Sequence, residues 1–79
     1  MRIMIGNLPA DATEEGVAES LGLVAPVGRV TMVREPDPAN PLAIVQIALS
    51  REDADALARR IEGRIYKGKP LTAWVPLHG

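Results

Sequence analysis

From Asn40 to Ile47 the chain reads Asn-Pro-Leu-Ala-Ile-Val-Gln-Ile, and no other stretch restricts its fold so strongly. The run is apolar and β-branched without a helical period. Pro41 stands in front and the polar Ser50-Arg51 behind, so it reads as a short buried strand. Alternation sends Ala43, Val45 and Ile47 to one side and Leu42, Ile44 and Gln46 to the other. Both sides are largely apolar. One can cover helices; the other is a greasy surface that needs an occupant.

The elements around this strand follow from local chemistry. Arg2 to Gly6 is a first strand, with Ile3 and Ile5 on one face and Arg2 and Met4 on the other. Asn7-Leu8-Pro9-Ala10 turns into a helix capped by Asp11 or Thr13, with Glu14 and Glu15 in the first turn, where the helix dipole favours acids. Val17, Leu21 and Val24 form its apolar stripe, Gly16 and Gly22 weaken it, and Pro26 stops it. Gly28 opens a second strand through Arg34, containing Val30, Met32 and Val33. Residues 35–41 form a stiff, proline-rich connection.

After the central strand, Ser50 caps a second helix with Asp53 at the capping-box position, and Ala54, Leu57, Ala58 and Ile61 line its inner face. Gly63 ends it. A turn-rich connector over 64–70 leads to a last strand, Leu71 to Val75. The order β-α-β-β-α-β predicts an α+β, ferredoxin-like sandwich spanning residues 1–79 as one domain. It has a four-stranded antiparallel sheet in the order 4-1-3-2, with both helices on one face. The opposite face is open. In the last strand, the phase that keeps Leu71, Ala73 and Val75 inward leaves Thr72 and Trp74 on that open face, with Trp74 near Met4.

Composition narrows the function. There is no cysteine, hence no disulfide, thiolate metal site or thiol nucleophile, and the single histidine is His78. No metal or cofactor is expected. No apolar run approaches the ~20 residues of a membrane helix, and no signal-peptide pattern opens the chain, so a cytoplasmic location and no membrane contact are expected. Net charge is −1, too little for purely electrostatic nucleic-acid binding. Its distribution is uneven: Arg2, Arg29 and Arg34 face six acids over residues 1–50, while six cations face four acids over residues 51–79.

With this pattern in place, the chain resembles the RNA recognition motif family along almost its whole length. Ile3-Met4-Ile5-Gly6-Asn7-Leu8 is similar to that family's hexamer motif on the first strand. Asn7-Leu8-Pro9 with Thr13-Glu14-Glu15 is similar to its strand-to-helix turn. Gly28-Arg29-Val30 resembles the opening of its second strand, and Gly63 with Gly68, followed by Lys69 and Leu71, resembles the lead into its last. The octamer motif departs from the family. Its pattern of a basic residue, Gly and three aromatics is here Asn40-Pro41-Leu42-Ala43-Ile44-Val45-Gln46-Ile47. Met4 likewise stands where the family usually carries an aromatic.

The resemblance implies a non-enzymatic domain that binds single-stranded RNA, with single-stranded DNA a second candidate, through the open sheet face. Family aromatics stack bases at ~1–3 kcal/mol each. Their loss here, with Trp74 as the one large aromatic left, implies weak binding. The residues so implicated are Arg2, Met4, Asn7, Arg34, Leu42, Ile44, Gln46, Lys69, Thr72 and Trp74. Trp74 would stack, Met4, Leu42 and Ile44 would make apolar contacts, and Arg2, Arg34 and Lys69 would approach phosphates. For each there is a plainer reading: a solvated arginine, a basic turn, an Asn capping its own backbone, an exposed Gln.

The patch Met4, Met32, Leu42 and Ile44 fits a protein partner or homodimer almost as well, or a cover made by the tail Pro76-Leu77-His78-Gly79. Catalysis is not expected. Glu14, Glu15, Asp53 and Asp55 fall on solvent-facing helix surfaces. An acylphosphatase-like site needs an arginine after the first strand, where Leu8 to Ala12 has none, and a copper chaperone needs a cysteine pair.

Overall fold

The computed structural model describes residues 1–77. Its elements are β1 (Arg2–Gly6), α1 (Glu14–Gly22), β2 (Val27–Val33), β3 (Leu42–Ile47), α2 (Arg51–Ile61), β4 (Ile65–Tyr66), β5 (Lys69–Pro70) and β6 (Thr72–Trp74). The main sheet runs β2-β3-β1-β6, antiparallel throughout, which is the expected 4-1-3-2 order once the short β4–β5 hairpin is set aside. Among the described residues no helix is long and apolar enough to cross a membrane.

Period-two alternation on the central strands builds the core. Ile3 and Ile5 of β1 and Ala43, Val45 and Ile47 of β3 are buried against Val17 and Leu21 of α1 and Ala54, Leu57, Ala58 and Ile61 of α2. Small residues at 43, 54 and 58 let the helix layer approach the sheet closely, and the branched residues at 3, 45 and 61 fill the volume that remains. Met32 lies in this layer, opposite Ala43, and does not join the open-face patch. It shares the phase of Val30 and packs, partly buried, against the core beside its register partner Ala43. Val33 takes the open-face place instead, opposite Leu42.

Both helix starts follow their capping chemistry. Thr13, and not Asp11, caps α1: its Oγ1 accepts from the Gly16 N–H at 3.0 Å. Asp11 lies outside the helix near Lys67, at 3.7 Å. Ser50 Oγ accepts from the Asp53 N–H at 3.1 Å at the start of α2. The end of α1 comes earlier than its apolar stripe suggests. The helix stops at Gly22, and the N–H groups of Val24 and Ala25 both bond to the Leu21 carbonyl at 3.0 Å in a closing turn. Gly22 gives little reason to continue, and Pro26 takes Ala25 out of helical conformation. Val24 is thereby released from the stripe, 62% exposed.

The connector 64–70 is more ordered than its composition suggests. Ile65–Tyr66 pairs with Lys69–Pro70 around a turn in which Lys67 (φ 50°) and Gly68 (φ 81°) both adopt the left-handed region. That is the signature of a type I′ hairpin turn, and Gly68 supplies the second position without strain.

Candidate nucleic-acid interface

Register places the open-face side chains in rows that cross the sheet. Thr31 stands opposite Ile44, Ile44 opposite Met4, and Met4 opposite Trp74, so one row spans all four strands. A second row has Val33 opposite Leu42 and Gly6 opposite Thr72. Gly6 is the floor between them. A Cβ built there would stand 3.6 Å from Cζ3 of Trp74 and 3.8 Å from Cδ1 of Leu42. The indole therefore lies against β1 at Gly6 and remains 45% exposed.

A third row closes the far end. Arg2 stands opposite Gln46, and the β2 register slips between Val27 and Val30, so that Gly28 and Arg29 together oppose Gln46 in a bulge. Arg2, Gln46 and Arg29 are all exposed. This end of the face carries two arginines whose side chains make no hydrogen bond or ion pair among the described residues, with a side-chain amide between them. Guanidinium and amide groups so placed can meet phosphate oxygens and a base edge.

The other polar candidates are spent on the fold. Lys69 Nζ donates to the carbonyl of Leu8 at 3.0 Å, to that of Ala39 at 3.1 Å and to Asn40 Oδ1, tying three loops together. Arg34 donates Nη1 to the Ala10 carbonyl at 3.1 Å and Nη2 to that of Ala12 at 2.6 Å, bracing the end of β2 against the turn before α1. Asn7, in the left-handed region at φ 61°, donates Nδ2 to the Pro70 carbonyl at 2.8 Å. Met4, Leu42, Ile44, Thr72 and Trp74 are thus brought together, Arg2 and Gln46 extend the surface, and Asn7, Arg34 and Lys69 hold its loop end. Arg29, Thr31 and Val33 complete the face. The signal for Arg29 was Gly28 before it, since glycine within a strand often marks a bulge.

The face is uncovered along the described tail. Pro76 and Leu77 turn to the helix layer, where their carbonyls accept from Arg51 Nη1 at 3.1 and 3.3 Å. The rest of the proposed cover, His78 and Gly79, lies outside the described residues. At the β6 edge the Ala73 N–H is satisfied by Glu62 Oε1 at 2.7 Å, which blunts strand addition there. Among the described residues no group of three or more His, Cys, Asp or Glu could hold a metal ion.

The sequence profile described as the RNA recognition motif matches residues 3–72. The chain belongs to the RNA recognition motif family. These are generally RNA-binding, non-enzymatic domains. Solved structures agree on the fold. The RRM3 domain of Mip6 superposes with a TM-score of 0.80 at 20% identity, covering 92% of this chain and 88% of that one. The Rna15 RNA recognition motif, solved with bound RNA (GU), gives 0.76 at 20% identity over 96% and 82%. The second such domain of yeast poly(U)-binding protein Pub1 gives 0.72 at 15% identity over 91% and 88%. No curated protein sequence matches the chain. Against the family's octamer pattern, this RNA recognition motif keeps the apolar skeleton of β3 and replaces its aromatics with Leu42, Ile44 and Ile47, of which Ile47 is buried in the core.

Proposed function

We propose that this RNA recognition motif binds single-stranded RNA weakly on its open sheet face, without catalysing a reaction. The observation that carries this reading is the row Thr31–Ile44–Met4–Trp74, with the exposed indole at one end. In the mechanism, Trp74 stacks one base, Met4, Leu42 and Ile44 cover a neighbouring base by dispersion, Thr72 and Gln46 offer hydrogen bonds to base edges, and Arg2 and Arg29 neutralise phosphates. One stacked base contributes ~1–3 kcal/mol. Two phosphate contacts on a single strand give a log–log salt slope of only about −1.4. Both magnitudes point to low affinity. Family membership supports RNA as the polymer, and single-stranded DNA offers the same bases without the 2′-hydroxyl.

A second reading rests on the same row. Three of its four side chains carry no ring, and an aliphatic face suits a protein partner or a second copy of the chain. Salt separates the two: RNA binding weakens as salt rises, whereas an apolar protein interface holds or tightens with salting-out ions. Trp74 emission provides the test. Pooled short single-stranded RNAs, titrated at low and high salt, should quench it in a salt-sensitive way. Anisotropy of labelled RNA should show a Trp74→Leu variant weakened by about 5- to 150-fold. No quenching and no anisotropy change at high micromolar protein would sink the RNA reading and leave the face to a protein.

A further inference from the structure

The helix side of the molecule carries a second apolar surface, unconnected to the sheet face. Residues from the C-terminal parts of α1 and α2 and from the β4–β5 hairpin line a cavity of about 270 Å3. Its walls include Leu57 and Ile61 of α2, Val24 just past α1 and Ile65 of the hairpin. Val24 and Ile65 are 62% and 68% exposed. Large aliphatic residues are held in water here by identifiable causes. The early end of α1 at Gly22 and Pro26 releases Val24, and the type I′ hairpin projects Ile65.

The charges lining this groove are of one sign. Arg60 and Arg64 are the two charged residues among those that form it, and both are exposed. Neither takes part in a salt bridge among the described residues, where the pairs are Arg51–Asp55 and Lys67–Asp11. An apolar floor beside two unpartnered guanidinium groups complements one kind of ligand, apolar side chains flanked by carboxylates. The volume is just under the ~300–1,000 Å3 of small-molecule pockets. It suits one or two anchoring side chains rather than a cofactor.

We infer that this groove is a docking site for an acidic peptide segment of a partner protein, which inserts one or two large apolar side chains between Val24, Ile61 and Ile65 while its carboxylates pair with Arg60 and Arg64. The sheet face stays free, so the domain can hold a protein on one side and RNA on the other.

The test titrates the 15N-labelled protein with two pools of synthetic peptides, each carrying two anchors drawn from Leu, Ile, Phe and Trp at helical spacing. One pool has Asp and Glu in the flanks, the other Lys and Arg. The acidic pool should shift the amides of Val24, Ile61 and Ile65 and leave those of Met4, Ile44 and Trp74 in place. An Arg60→Gln/Arg64→Gln variant, whose exposed substitutions leave the fold intact, should bind that pool about tenfold more weakly. Its RNA titration should match that of the unaltered protein. The inference is overturned by silence of the groove amides up to about 1 mM acidic peptide, by an equal response to the basic pool, or by an unchanged affinity in the double variant. Groove shifts that depend on protein concentration alone would also overturn it, since the occupant would then be a second copy of the chain.

Discussion

Trp74 leans over Gly6. A Cβ on that glycine would come within 3.6 Å of the indole Cζ3 and within 2.6 Å of Thr72 Oγ1. The second approach is closer than real Cβ atoms tolerate, so a methyl at position 6 must displace Thr72, which lies two residues before Trp74 on the same strand. Gly6→Ala should destabilise the protein by about 1–3 kcal/mol and red-shift the Trp74 emission as the indole lifts into water. Adding Thr72→Ala removes the obstructing hydroxyl and should restore most of both. Urea unfolding followed by tryptophan emission reads both quantities. Additive losses in the double variant would show that the contact does not control the ring.

Lys69 sits where the family resemblance points to backbone contacts, yet its ammonium group already serves Leu8, Ala39 and Asn40. Lys69→Met keeps the stem and removes the donor, leaving the partly buried Leu8 carbonyl and the exposed Ala39 carbonyl without it. Stability should fall by about 1–3 kcal/mol, while the salt slope of RNA binding stays that of the unaltered protein. Normal stability with a shallower slope would place the group on phosphate instead.

Arg2 and Arg29 should account for the salt dependence. Arg2→Gln and Arg29→Gln should each reduce the magnitude of the log–log slope by about 0.7, with little change in urea midpoint, because both side chains are exposed and unbonded. Arg34→Gln should do the reverse. Its bonds to the Ala10 and Ala12 carbonyls brace the turn before α1, so stability drops and the slope holds.

Ile44 occupies the middle of the four-strand row, between Thr31 and Met4. Ile44→Phe puts an aromatic face where the family pattern carries one, beside a side chain that is only half-buried. RNA affinity should rise by about 1–3 kcal/mol, at least fivefold, with the gain lost in a Trp74→Leu background only in part. An unchanged affinity, measured by anisotropy, would mean that bases do not lie over the centre of the sheet.

The sequence was legible wherever a local rule spoke without competition. Alternation in β1 and β3 assigned Ile3, Ile5, Ala43, Val45 and Ile47 to the core, and the inward phase of Leu71, Ala73 and Val75 put Thr72 and Trp74 on the open face. Ser50 capped α2 as its chemistry requires. Two features of helix α1 were finer than local rules could settle. Asp11 and Thr13 are both good caps, and the stripe Val17-Leu21-Val24 outlasts the helix because apolar spacing carries no information about where Gly22 lets the backbone turn.

What the tertiary structure decided was which polar groups remain free. By sequence Arg2, Arg34 and Lys69 are alike, three cations near strand ends. Folding brings backbone carbonyls of distant loops to Lys69 and Arg34, and leaves Arg2 beside Gln46 with Arg29 in the bulge beyond. Apolar patterning is local and periodic, so the sequence alone determined the layers and the faces. The fate of a long charged side chain depends on which carbonyls, tens of residues away, come within 3 Å, and only the folded chain sets that distance.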